Sequence, residues 1–156
     1  MEAVKVPDTW ASIEEFAAWF RANGCPQRVP ADARVMWTDV SASMIVFRQG
    51  RFQAELYMMK PNIRVPRHHH PMKQRILWVG GWLRAYWEGQ PAGVGPLRTK
   101  HSGFLSPTLD EGKWHSFKTT ERGAVLYVLD DGDTSATIAY EGEPLGPIHA
   151  AMLAAR

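Results

Sequence analysis

The feature that most limits what this chain can fold into is a succession of short apolar segments cut by turn signals. "RVMWTDV" (34–40), "SMIVFR" (43–48), "FQAELYMMK" (52–60), "QRILWVGG" (74–81), "WLRAYWEG" (82–89), "GAVLYVLDD" (123–131) and "SATIAYEG" (135–142) are each rich in Val, Ile, Tyr, Trp or Phe. Gln49-Gly50, Glu88-Gly89, Asp131-Gly132 and Glu141-Gly142 punctuate them. Such pieces read as strands. Alternation puts Phe52, Ala54, Leu56 and Met58 on one face of theirs. Many short strands with regular turns imply a sandwich or barrel rather than a parallel α/β sheet.

One helix precedes them. In "DTWASIEEFAAWFRANG", Ser12 is a good N-cap and Glu15, three residues on, completes a capping box. Ile13, Phe16, Ala17 and Phe20 form an apolar stripe at helical spacing. Asn23-Gly24 ends it, with Gly24 suited to the left-handed position after the last turn. The expected layout is therefore a helix and linker over residues 1–33, packed outside a β-barrel over residues 34–156. The Gly/Pro-rich "EGQPAGVGPLRTKHSG" (88–103) reads as a loop between halves of the barrel. "PIHAAMLAAR" reads as a short helix opened by Pro147.

Composition excludes some functions. No Lys/Arg run accompanies the formal net charge of +2, so nothing points to nucleic acid. No apolar run approaches the roughly 20 residues of a membrane-spanning helix. "MEAVKVPDTW" lacks a signal-peptide pattern. Cys25 is the one cysteine, which rules out an internal disulfide and fits a reducing compartment. A cytoplasmic location is expected.

The chemistry-bearing stretch is "RVPRHHHPMKQ", 64–74. In a strand, His68 and His70 share a face while His69 points away. The pair reads either as half of a metal site or as a polar strand end. Pro66 and Pro71 restrict the backbone around it.

Extended in both directions, the pattern resembles the motifs of the cupin superfamily. Asn62, His68, His70, Gln74 and Gly81 follow the spacing of its first motif, and Asp110, Gly112, His115 and Thr119 that of its second. The resemblance spans roughly residues 43–142. Asn62, Gln74, Asp110 and Thr119 depart from the family's Gly, Glu, Pro and Asn. The resemblance implies an all-β fold, a single cupin-type barrel (jelly roll) with the N-terminal helix outside. It implies one divalent metal held by His68, His70, His115 and, weakly or from behind, Gln74. Gln74 offers a neutral carbonyl where the family has a carboxylate. That disfavours hard ions and leaves Fe, Ni, Cu or Zn.

The resemblance implies a metal-dependent dioxygenase or related oxidoreductase acting on a small organic molecule. A second expectation is a non-catalytic cupin that binds a small ligand, such as a sugar, or serves as an accessory domain. No catalytic residue is singled out by the sequence. Tyr57, Trp78, Tyr86 and Tyr127 are candidates to line the barrel interior. Family analogy also implies a homodimer.

Overall fold

The structure, a computed structural model, describes residues 4–23, 36–37, 41–87, 105–132 and 139–140; side chains at 36–37, 66, 78, 81–87 and 139–140 lie outside that description. The loop at 88–103, the C-terminal helix, the boundary at 33/34, Cys25, His101 and His149 also fall outside it.

Helix α1 covers Ile13–Ala22. Ser12 Oγ accepts from the Glu15 N–H, and Glu15 Oε2 accepts from the Ala11 N–H. The capping box forms as expected, with Glu15 reaching one residue further back than its usual target. At the other end Asn23 does the closing. Its backbone N–H and its Nδ2 both donate to the Trp19 carbonyl. Ser12→Ala is expected to cost about 1 kcal/mol in urea denaturation; an unchanged midpoint would mean that the cap is not stabilising the helix.

Among the described residues seven strands follow: β1 Met36–Trp37, β2 Ser41–Gln49, β3 Phe52–Met59, β4 Arg64–His69, β5 Gln74–Trp87, β6 His115–Asp130 and β7 Ala139–Tyr140. All pairings are antiparallel, in the order β1-β2-β3-β6-β4-β7, with β5 along the other edge of β6. One edge of β6 is shared: its first residues pair with β4 and its last with β3. The strand that links these two parts of the sheet therefore has to bend. Gly123 lies between them with φ +65°. A Cβ at this glycine would collide with the Met59 carbonyl oxygen, so the close approach requires Gly.

The strand pattern differs from the sequence expectation in three places. Segments 74–81 and 82–89 are one strand, because Gly80 and Gly81 mark register shifts rather than a turn. β6 starts at His115, eight residues before the expected 123. β4 has no apolar signature. It forms because β6 supplies its backbone partners, Arg64 opposite Lys118 and Val65 opposite Phe117. Of the segments at 34–40 and 135–142, residues 36–37 and 139–140 are the parts described as strand.

The sheet has two unlike faces. On one, the apolar stripe of α1 packs against Phe47, Phe52, Ala54, Leu77, Tyr127 and Leu129. The predicted β3 face lies here as far as Leu56; beyond that cover, Met58 is 42% exposed. Among the described residues the opposite face receives no helix, yet Gln53, Glu55, Gln74 and Asp130 on it are buried. The curl of the sheet encloses them. A smaller apolar cluster of Ile76, Leu109, Ala124 and Leu126 shares this inner face, with Tyr57 and Phe117 against it.

Candidate metal centre

Three histidines converge on the enclosed side. His68 of β4 is the direct cross-strand partner of His115, the first residue of β6. Directly opposed residues bring their Cβ atoms to about 5 Å, and the two ring centres lie 4.3 Å apart. His70 follows β4, with its ring 4.9 Å from that of His68 and 5.2 Å from that of His115. One ring nitrogen from each lies within 4.8 Å of the others. Among the described residues this is the one convergence of three or more His, Cys, Asp or Glu side chains.

The second motif is tied to the first through the backbone. Gly112 takes φ +71°, and its N–H donates to the His70 carbonyl at 2.9 Å. Lys113 N–H closes the turn on the Asp110 carbonyl. Asp110 stands where the family has proline, and the turn forms with it.

The His115 ring is oriented by one bond. Its Nδ1 lies 2.9 Å from the Lys113 carbonyl oxygen. A carbonyl can only accept, so Nδ1 carries the proton and Nε2 presents a lone pair. That Nε2 is buried and has no hydrogen-bond partner among the described residues. Burial pushes the His115 imidazolium below its ordinary pKa, the Lys113 bond partly opposes this, and charge on His69 adds to the lowering. The ring is therefore neutral around pH 7, the form that ligates metal. A carbonyl behind Nδ1 with Nε2 bare is the arrangement that orients histidine ligands in metal sites. His69 stands apart: its ring packs edge-on against Trp114, centres 4.6 Å apart, and Arg67 lies over the same indole.

Gln74 is buried and tied to its cross-strand partner. Its Nε2 donates to Asp130 Oδ1 at 2.6 Å, both groups being buried. A glutamate at this point would set two carboxyl groups against each other. The departure from the family pattern therefore has a local partner in Asp130.

Burial raises the Asp130 pKa well above the ordinary carboxylate range; the Gln74 bond opposes this, while Glu55 and Asp131 add to it. The folded state holds a proton that the unfolded chain releases. Full stability is thus present below the ordinary carboxylate pKa and is lost as pH rises through the raised one. Asp130→Asn keeps an acceptor for Gln74 and removes the titration. Relative to the parent, the variant should gain stability in denaturant titrations as pH rises above the ordinary carboxylate pKa of about 4, at a limiting slope of about 1.4 kcal/mol per pH unit. Identical pH dependence in both proteins would contradict this.

Of the candidate lining residues, Tyr57 is on the inner face, against the cluster that includes Leu126. Tyr127 is not: it faces α1, its ring 5.4 Å from that of Phe20. The period-2 alternation of β6 sends it to the helix side while its neighbours Leu126 and Val128 face inward. Trp78 and Tyr86 lie on β5, with side chains outside the described residues. Phe117, not singled out from the sequence, links the histidines to the inner apolar cluster, 5.4 Å from His115 and 6.2 Å from His68. Its signal is its spacing, two residues after His115 on one strand.

No protein-family model matches the chain, and no curated protein matches it in sequence. Solved structures do match. An oxalate decarboxylase from Bacillus subtilis, in a tryptophan-to-tyrosine variant, aligns with TM-score 0.54 at 14% identity, over 72% of this chain and 32% of that one. KdgF from Halomonas sp. aligns with TM-score 0.51 at 16% identity, over 64% of this chain and 85% of that one. The formate complex of Lactobacillus farciminis oxalate decarboxylase gives TM-score 0.53 at 12% identity, over 73% and 35%. This chain spans about a third of the length of the oxalate decarboxylases it matches. The likeness establishes a cupin fold, an all-β barrel.

Proposed function

We propose that His68, His70 and His115 hold one divalent transition metal, and that the protein is a metal-dependent enzyme acting on a small polar organic molecule at the enclosed face. The observation that carries this reading is the buried, unpartnered Nε2 of His115, fixed as a lone pair beside two more imidazoles. Three neutral imidazole donors suit Fe, Ni, Cu or Zn. Such an ion supplies Lewis acidity and, where redox-active, electron transfer. The chain's own groups have separable tasks. The Lys113 carbonyl orients His115, Phe117 shields the ring edges, and the polar residues of the inner face meet the substrate. Gln74 Nε2 donates to Asp130, which leaves its carbonyl oxygen as the atom it could offer as a weak fourth ligand.

Among activities, dioxygenase-type oxidation fits best, since three protein ligands leave coordination positions open. The structural neighbours favour small carboxylic acids within the substrate panel: they include oxalate decarboxylases, one described by its Mn(II) centres and one with formate. The test is a screen of oxygen uptake and substrate loss over small hydroxy acids, dicarboxylates, thiols and diketones. It compares Fe²⁺-reconstituted with chelator-stripped protein. Turnover confined to the reconstituted protein is expected. Ligand binding untouched by chelation, with no turnover, would favour the non-catalytic reading, which the neutral Gln74 in place of a carboxylate supports.

A further inference from the structure

A row of polar side chains crosses the inner face at the end where β5 begins. Arg48 of β2 is paired with Gln53 of β3, Gln53 with Asp130 of β6, and Asp130 with Gln74 of β5. These four are successive cross-strand partners, so their side chains stand side by side on one face. The outer links are made. Arg48 Nε donates to Gln53 Oε1 at 3.3 Å, and Gln74 Nε2 donates to Asp130 Oδ1 at 2.6 Å.

The central link differs. Arg48 takes the Gln53 oxygen, which leaves the Gln53 amide nitrogen to find another partner. Gln74 takes Asp130 Oδ1, which leaves Oδ2 to find another partner. Gln53 Nε2 and Asp130 Oδ2 are both buried, and neither has a hydrogen-bond partner among the described residues. Gln53 is 2% exposed and Asp130 0%. Leaving a buried donor or acceptor unmade is costly, so two adjacent cases on facing strands point to a group that joins them.

That group has to accept from Gln53 and engage a carboxyl oxygen. A hydroxyl does both, accepting through a lone pair and donating or accepting at Oδ2. It therefore fits whatever the protonation state of Asp130. We propose that the Gln53–Asp130 pair is a binding point for one hydroxyl group, supplied by a hydroxylated small-molecule ligand of the barrel or by a structural water. The ligand source rests on the reading of the inner face as the substrate-facing wall; the water source does not, and neither requires a metal.

The test uses the full-length protein crystallised alone and soaked with glycolate or, as the probe lacking the hydroxyl, acetate. One oxygen within about 3 Å of both Gln53 Nε2 and Asp130 Oδ2 is expected. If glycolate supplies it, density there becomes continuous with the probe, and Gln53→Leu lowers the preference for glycolate over acetate roughly tenfold by calorimetry. If the oxygen stays separate from both probes, the hydroxyl is a water. A direct Gln53–Asp130 hydrogen bond, or no oxygen between them, overturns the proposal. Gln53→Glu, a close isostere, serves where Gln53→Leu fails to fold. Metal content is measured alongside: loss of the central oxygen with metal retained refutes this inference alone, and the converse refutes the metal reading alone.

Discussion

His115→Ala is expected to abolish stoichiometric metal binding, while His69→Ala leaves it intact. Even outer hydrogen-bonding partners of ligands cost roughly 10–100-fold in metal affinity. Removal of one of three donors should exceed about 100-fold. His115 is the sharper probe because its Nε2 is held bare by the Lys113 carbonyl, whereas His69 packs on Trp114 away from the cluster. Competition against a fluorescent chelator measures both affinities, with circular dichroism to establish that each variant folds. Equal losses in the two variants would mean that the convergence of His68, His70 and His115 is a packing feature.

Phe47→Ala is expected to destabilise the fold by about 3–5 kcal/mol. Phe47 has no exposed surface and its ring meets those of Trp10, Phe16, Trp19 and Phe20. It is the sheet residue onto which α1 and its lead-in segment close. The lost transfer energy adds to a cavity that rigid aromatic neighbours refill poorly. Met58→Ala, on the same sheet but 42% exposed, should change stability by less than about 0.5 kcal/mol. Urea denaturation of the pair reads the contrast. Similar values for both would show that the helix–sheet interface is not the main apolar core.

Much of this was legible from the sequence because it depends on local period. The α1 stripe of Ile13, Phe16, Ala17 and Phe20 is the stripe that is buried. The His68–His70 spacing, with Gly112 and His115 behind it, marks three residues that the fold brings together. What escaped depends on pairing. β4 has no apolar pattern and owes its strand to β6. The register shifts at Gly80 and Gly81 fall where the segments 74–81 and 82–89 read as separate strands. Which face Tyr127 serves depends on where the helix docks, and its spacing alone carries no such information. Asp130 falls near the end of the expected strand 123–131, where nothing local marks it as buried. Only the register that sets it between Gln53 and Gln74 reveals it as an enclosed carboxyl. The same register explains why a neutral glutamine at 74 has a partner.

The most direct measurement of the central claim is X-ray absorption at the metal edge of protein reconstituted with one equivalent of Fe²⁺ or Zn²⁺. Ligation by His68, His70 and His115 gives about three imidazole nitrogens at roughly 2.0–2.1 Å, with the imidazole scattering reduced or absent in His115→Ala. A protein that takes up no metal, or a shell of oxygen donors without imidazole, would contradict it.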